Sequence, residues 1–181
     1  MIDPVRIIVD GHLLVPLKAK VFHEEGENII LTTTASDEGK RKALSDMGVD
    51  IIMTDSEEKG SVDLEAAMTG LALKGIDSIL LEGGATLAAS AFDAGIVDKV
   101  RIYTAPMIIG GVSAPGLIGG EGASTIPKAI RLRDIQTQMT GKDLVIEAYV
   151  EKEAKEEKAE STRQTDVDLL KREEEPCSQG S

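Results

Sequence analysis

Short apolar runs rich in β-branched residues alternate with amphipathic segments over much of this 181-residue chain. Such runs are typical of buried strands, and the segments between them have the spacing of helices. Strands separated by single helices favour parallel pairing, with the helices covering the sheet. The predicted strands are Val5–Asp10, Asn28–Thr33, Val49–Met53, Ser78–Leu81 and Val97–Thr104, and the predicted helices are Ser36–Gly48, Asp63–Lys74 and Thr86–Ala94.

The pattern changes after Ala105. A Gly/Pro-rich stretch from Gly110 to Gly122 indicates either a loop folded against something, such as a cofactor, or a mobile surface loop. Two further strands, Ile130–Thr137 and Leu144–Val150, follow with Gly141 between them and no helical spacing, which predicts an antiparallel hairpin. The predicted fold is therefore α/β, a mostly parallel sheet flanked by helices with a C-terminal antiparallel hairpin.

Composition excludes several classes of function. The formal net charge of −12 argues against sequence-independent binding to nucleic acid, and aromatic residues make up only 2%, too few for base stacking. No apolar run is long enough to cross a bilayer, so no membrane association is expected. The single cysteine, Cys177, excludes an internal disulfide framework and indicates a reducing, cytoplasmic environment.

The composition shifts abruptly after Val150. Residues 151–181 are highly charged and nearly devoid of apolar periodicity, which predicts a disordered tail that follows a domain over residues 1–150. The alternative is a segment that docks a partner. Cys177 lies in this tail without basic neighbours, so it is expected to be inert.

The most informative segment runs from Ser78 through Glu82-Gly83-Gly84-Ala85-Thr86. An apolar strand leads into a carboxylate, two glycines and a threonine that opens a helix. Glycines permit close backbone approach, and the free N–H groups of a helix start bind anions such as phosphate. The alternative is a tight strand-to-helix turn in which Glu82 caps the helix.

A second candidate segment is Asp10-Gly11-His12-Leu13, at the end of the first predicted strand. The carboxyl ends of parallel strands share one edge of the sheet, where ligands gather. An ordinary turn is the alternative. His12 and His23 have no metal-spaced partners, so no metal site is expected. No nucleophile elbow is present, and we assign no catalytic nucleophile.

Four blocks follow one another along this chain: Pro4–Pro16, Ser78–Thr86, Ala94–Pro106 and Ile109–Gly111. In sequence, order and separation they resemble the pyrimidine reductases of riboflavin biosynthesis, which have the dihydrofolate reductase-like fold. A further segment, Ala114–Gly122, is more similar to the single-domain archaeal reductases than to the C-terminal domains of bacterial deaminase-reductases.

The resemblance implies NADPH-dependent reduction of the ribosyl group of a 5′-phosphorylated ribosylaminopyrimidine to a ribityl chain. It implies that Asp10, Gly11, His12 and Leu13 border the cofactor, that Gly83, Gly84, Ala85 and Thr86 receive it, and that Glu82 contacts the substrate. It also implies a homodimer.

One departure from the family bears on activity. The family begins with an additional strand and a Thr-x-Asp-Gly-Lys-like motif, and neither precedes Val5 in this sequence. The resemblance therefore predicts a domain truncated at its N-terminus, with sheet edges left unpaired. The alternative function is a noncatalytic nucleotide-binding module, or an inactive fragment of such a reductase.

Overall fold

A fully buried strand, β2 (Asn28–Thr32), lies at the centre of the first sheet in the computed structural model, which describes residues 3–111, 113–114 and 116–152. It pairs in parallel with β1 (Arg6–Val9) on one side and with β3 (Asp50–Met53) on the other. Burial on both faces explains why its three central residues, Ile29–Leu31, are all apolar rather than alternating with polar residues.

Three helices accompany this sheet in the chain. α1 (Glu38–Asp46) and α2 (Leu64–Leu73) both begin after an aspartate whose carboxylate accepts a hydrogen bond from a backbone N–H of the first turn. α3 (Ala85–Asp93) begins after Gly84, which has no side chain for this purpose.

The two faces of β2 contribute to two hydrophobic clusters. Ile30 packs with Leu44 of α1, whereas Ile29 and Leu31 pack with α2. Because neighbouring residues of a strand point to opposite faces, α1 and α2 cover opposite sides of the sheet. The buried members are Leu13, Phe22, Ile30, Leu44 and Val49 in one cluster and Ile29, Leu31, Ala67 and Leu71 in the other.

A second sheet is formed by β4 (Lys99–Thr104), β5 (Leu132–Thr140) and β6 (Asp143–Val150), in the order β4-β6-β5. Both pairings are antiparallel, and a bulge interrupts the β5–β6 ladder between Arg133 and Gln136. Short 3₁₀ turns occupy Lys20–Phe22 and Ile126–Lys128.

The chain divides into two compact units. Among the described residues, one unit comprises 3–97 together with those within 109–122, and the other comprises 98–108 together with 123–152. The first contains the parallel sheet and the helices, and the second contains the antiparallel sheet. None of the helices in the described ranges is long and apolar enough to span a membrane.

The α/β class, the three helices and the C-terminal hairpin are confirmed. The predicted strand Ser78–Leu81 is wrong: these residues form no strand, and Leu80 is 80% exposed. An apolar run forms a strand only where a neighbouring backbone pairs with it, and none of the described residues does so here.

The structure also divides the strands between two sheets, and β4 pairs antiparallel with β6. Residues 153–181, which include Cys177 and nearly all of the predicted tail, lie outside the described residues.

Candidate functional site

The turn after β1 is closed by its own backbone and by Asp10. The Leu13 N–H donates to the Asp10 carbonyl at 3.0 Å, and the Val15 N–H donates to the Asp10 carboxylate at 2.7 Å. Leu13 adopts a positive φ of 56° with its side chain buried, whereas His12 is exposed. The Asp10 carboxylate therefore has a structural partner already, and His12 is the side chain that the turn presents outward.

Two threonines at the end of β2 hold this turn from the neighbouring strand. The Thr32 hydroxyl donates to the Asp10 carbonyl at 2.8 Å, and the Thr33 hydroxyl donates to the Gly11 carbonyl at 2.7 Å. The Lys40 ammonium group, from α1, donates to the Leu13 carbonyl at 2.5 Å. Sequence reasoning missed these three residues; the run Thr32-Thr33-Thr34 at a strand end was the available signal.

The connection between β3 and α2 also packs against the turn. A Cβ atom placed on Gly11 would lie 2.0 Å from the Gly60 carbonyl oxygen, so the two backbones are in direct contact. An isolated bridge between Asp55 and Val62 closes this connection. Gly60 was not predicted as part of a site, since nothing in its local sequence reveals the contact.

The second predicted segment forms the start of α3. Gly84 is the N-cap residue and provides no side-chain acceptor, so the first N–H groups of α3 have no capping partner among the described residues. Thr86, in this first turn, is exposed. Unfilled N–H groups at a helix start, together with the helix dipole, favour a bound anion.

The Gly-rich stretch folds back onto the same helix start. The Gly119 N–H donates to the Ala85 carbonyl at 2.9 Å. A Cβ atom on Gly119 would lie 3.2 Å from that carbonyl, and one on Gly120 would lie 3.2 Å from the Cβ of Ala89. At Gly119 and Gly120 the stretch is therefore folded against another segment, as one of the two predictions expected, whereas Leu117 and Ile118 are exposed. The contact is with protein, namely the first turns of α3.

Glu82 is exposed, and its carboxylate makes no hydrogen bond in the part of the chain that the structure describes. The structure thus places the predicted residues in two local groups, the turn Asp10–Leu13 and the helix start Gly83–Thr86. No hydrogen bond between described residues joins the two groups. Nor do the described residues contain a cluster of three His, Cys, Asp or Glu that could hold a metal ion.

Both the sequence and the fold of this chain are similar to those of known proteins. The family described as "RibD C-terminal domain" matches residues 2–146. The riboflavin biosynthesis protein RibD of Actinobacillus pleuropneumoniae is 36% identical over 149 residues, which are 82% of this chain and 39% of that protein. The chain thus spans about two-fifths of this relative's length.

A second relative is closer in length. The 2,5-diamino-6-ribosylamino-4(3H)-pyrimidinone 5′-phosphate reductase of Methanothermobacter thermautotrophicus is 34% identical over 148 residues, which cover 82% of this chain and 67% of that protein. Among solved structures, Acinetobacter baumannii RibD superposes with a TM-score of 0.65 at 20% identity, over 81% of this chain and 37% of that one. The sequence matches and the shared fold together show that the chain belongs to the RibD C-terminal domain family.

Proposed function

We propose that this chain is an NADPH-dependent reductase of riboflavin biosynthesis, which converts the ribosyl group of a 5′-phosphorylated ribosylaminopyrimidine to a ribityl chain. The observation that carries the proposal is the 34% identity, over 82% of this chain, to a relative named as the corresponding phosphate reductase. The local geometry of the two predicted segments supports it.

The start of α3 would hold a phosphate group of the cofactor. Its first N–H groups have no side-chain acceptor, and Gly84 leaves the approach open, since a Cβ atom there would meet nothing within 4 Å. The Gly119 contact with Ala85 fixes one side of this helix start. These backbone donors supply positive potential in a unit whose acidic side chains outnumber its basic ones.

The turn Asp10–Leu13 would border the cofactor. Three donors, from Thr32, Thr33 and Lys40, fix its carbonyl groups, so its shape is set before a ligand arrives. Preorganised backbone of this kind reduces the entropy lost on binding. His12 is the exposed side chain of the turn and therefore the one available to a ligand.

Glu82 would orient the substrate. When bound, NADPH supplies the hydride, so the protein needs to position the acceptor carbon and exclude water rather than provide a nucleophile. The opened sugar presents an imine carbon, and a carboxylate next to it stabilises the positive charge. The Glu82 carboxylate is exposed and has no protein partner among the described residues, so it is free to contact a substrate.

The direct test mixes the purified chain with NADPH and the phosphorylated ribosylaminopyrimidine and follows NADPH oxidation. We expect turnover, and we expect Glu82→Gln to lower kcat/KM at least about tenfold. Glu65→Gln, a charge-matched change on an exposed first-turn residue of α2, is the control and should leave kcat/KM unchanged. Full turnover and substrate affinity in Glu82→Gln would refute the role of this residue.

The phosphate position is tested by Gly84→Asp. The φ of −61° suits any residue, and the open space accommodates the side chain. Relative to glycine, an N-cap aspartate should stabilise α3 by roughly a few tenths of a kcal/mol while its carboxylate repels the phosphate. We therefore expect a higher Tm with a weaker NADPH affinity, measured by calorimetric titration. Gly84→Ala is the control, and equal NADPH affinity in both variants would contradict the assignment.

The proposal includes a cytoplasmic homodimer. Its support is the antiparallel sheet, in which every residue of β5 is exposed, including the apolar Ile135 and Met139. Exposed apolar sheet surface favours association. Light scattering should give twice the 19.2 kDa chain mass, and a monomer at micromolar concentration would contradict it.

A noncatalytic nucleotide-binding module is the second candidate. It is favoured by the exposure of Glu82 and of the apolar residues before it, which leaves the substrate side of the site open. NADPH binding without oxidation in the presence of the substrate would support this candidate over the reductase.

A further inference from the structure

Gly60 lies outside both predicted segments, yet the structure places it against the turn Asp10–Leu13. The nearest atoms to a Cβ on Gly60 would all belong to His12, with the ring atoms Cε1 and Nε2 at 2.2 and 2.4 Å. Any side chain here would therefore displace the His12 ring.

Gly11, on the other side of this contact, is restricted by Gly60 in turn. A Cβ on Gly11 would lie 2.0 Å from the Gly60 carbonyl oxygen and 3.0 Å from its carbonyl carbon. These are backbone atoms, which cannot rotate away as the end of a flexible side chain can. The turn and the β3–α2 connection thus approach each other as closely as two glycines allow.

We propose that Gly60 is a positioning residue of the cofactor site, which fixes the place of the His12 ring and through it the affinity for NADPH. This inference rests on the proposed function, because it takes the turn Asp10–Leu13 to border the cofactor. The Thr32, Thr33 and Lys40 hydrogen bonds fix the carbonyl groups of the turn but do not touch the His12 side chain. Gly60 is the residue that contacts the His12 ring.

Gly60→Ala tests the inference, with a matched control in the same chain. Gly60 has a φ of +82°, and Gly75, which ends α2, has a φ of +81° with nothing within 4 Å of a Cβ. The two substitutions share the backbone strain, but only the first displaces His12. We expect Gly60→Ala to weaken NADPH binding at least about tenfold and Gly75→Ala to leave the affinity unchanged.

A double-mutant experiment with His12 separates the positioning role of Gly60 from a general loss of protein stability. His12→Gly removes the ring, and it should itself weaken NADPH binding while the chain stays folded. In that background, Gly60→Ala has no ring to displace and should cause no further loss of affinity. This pair of variants remains informative if Gly60→Ala alone does not fold, which circular dichroism would detect.

The outcomes distinguish this inference from the proposed function. If the wild-type chain does not bind NADPH, both the proposed function and this inference are refuted. If the unchanged chain binds NADPH and Gly60→Ala binds it equally well, only the inference is overturned. An undiminished affinity in His12→Gly, or a further loss on adding Gly60→Ala to it, would also overturn the inference.

Discussion

The described residues form two three-stranded sheets that differ in how they are stabilised. The central strand of the parallel sheet, β2, is buried at all five residues, and helices α1 and α2 contribute to the clusters on its two faces. In the antiparallel sheet, β5 is exposed at all nine residues, and the central strand β6 buries only Val145 and Ala148. The first sheet therefore depends on core packing, whereas the second depends more on cross-strand hydrogen bonds and surface pairs.

This difference bears on one of the two candidate segments, the turn Asp10–Leu13. The turn Asp10–Leu13 extends from the buried sheet, where packing holds the strand ends in fixed positions, and the end of β2 supplies the threonines that bind the turn. A cofactor site requires such fixed geometry, since small displacements are costly. The antiparallel sheet instead presents an exposed surface. Cationic side chains on this surface pair with neighbouring carboxylates, as Arg101 does with Glu147.

Truncating one isoleucine in each sheet should give the largest contrast. Ile30 is fully buried in β2, and Ile135 is 60% exposed in β5. We expect Ile30→Ala to lower the free energy of unfolding by about 3–4 kcal/mol, because it removes buried methyl groups and leaves a cavity. Ile135→Ala should cost less than about 1 kcal/mol. Denaturant titration measures both, and similar losses would show that the second sheet is packed more tightly than its exposure indicates.

Removing one hydroxyl group next to the parallel sheet and one from the antiparallel sheet should give a smaller contrast. The buried Thr33 hydroxyl donates to the Gly11 carbonyl, whereas Thr137 is an exposed residue of β5. Thr33→Val keeps the shape and should cost about 1–2 kcal/mol through the lost hydrogen bond. Thr137→Val should change stability by less than about 0.5 kcal/mol. Amide exchange of the turn, faster in Thr33→Val alone, would link the loss to the site.

The smallest effect concerns the ion pair between Lys99 of β4 and Glu147 of β6, on the antiparallel sheet. Lys99 donates a hydrogen bond of 2.9 Å to Glu147, which lowers the pKa of Glu147 below its ordinary value of 4.5 and raises the pKa of Lys99 above 10.5. The contribution of Glu147 to stability is therefore present above pH 4.5 and is lost as the pH falls through its lowered pKa. That of Lys99 is present below pH 10.5 and is lost as the pH rises through its raised pKa.

The substitution Glu147→Gln tests the direction of the pKa shift of Glu147. Relative to the unchanged chain, its Tm should be slightly lower at neutral pH, and the difference should disappear at strongly acidic pH. Both side chains are at the surface, so added salt should also diminish the difference. A Tm difference that is larger in acid would contradict the lowered pKa.

Local sequence patterns predicted the elements that depend on local chemistry. The apolar run of β2, the aspartate before α2 and the glycine between β5 and β6 each specify their structure within a few residues. Ser78–Leu81 has the same apolar pattern as β2, yet it forms no strand, because pairing depends on a partner that its own residues do not encode. The contact of Gly60 with His12 was beyond prediction for a similar reason, since it joins segments that are distant in the chain.

The loop contact between Gly119 and Ala85 has a consequence for the entropy cost of folding. The pairing of β5 with β6 is local in the chain, because a short turn at Gly141 joins the two strands. β4 must instead find β6 across a long intervening chain, since Thr104 pairs with Leu144. The entropy lost in closing such a loop grows with its length. The hydrogen bond between Gly119 and Ala85 closes a separate loop of the chain, which contains β4 but not the β5–β6 hairpin, so forming it has an entropy cost of its own in addition to that of the β4–β6 pairing.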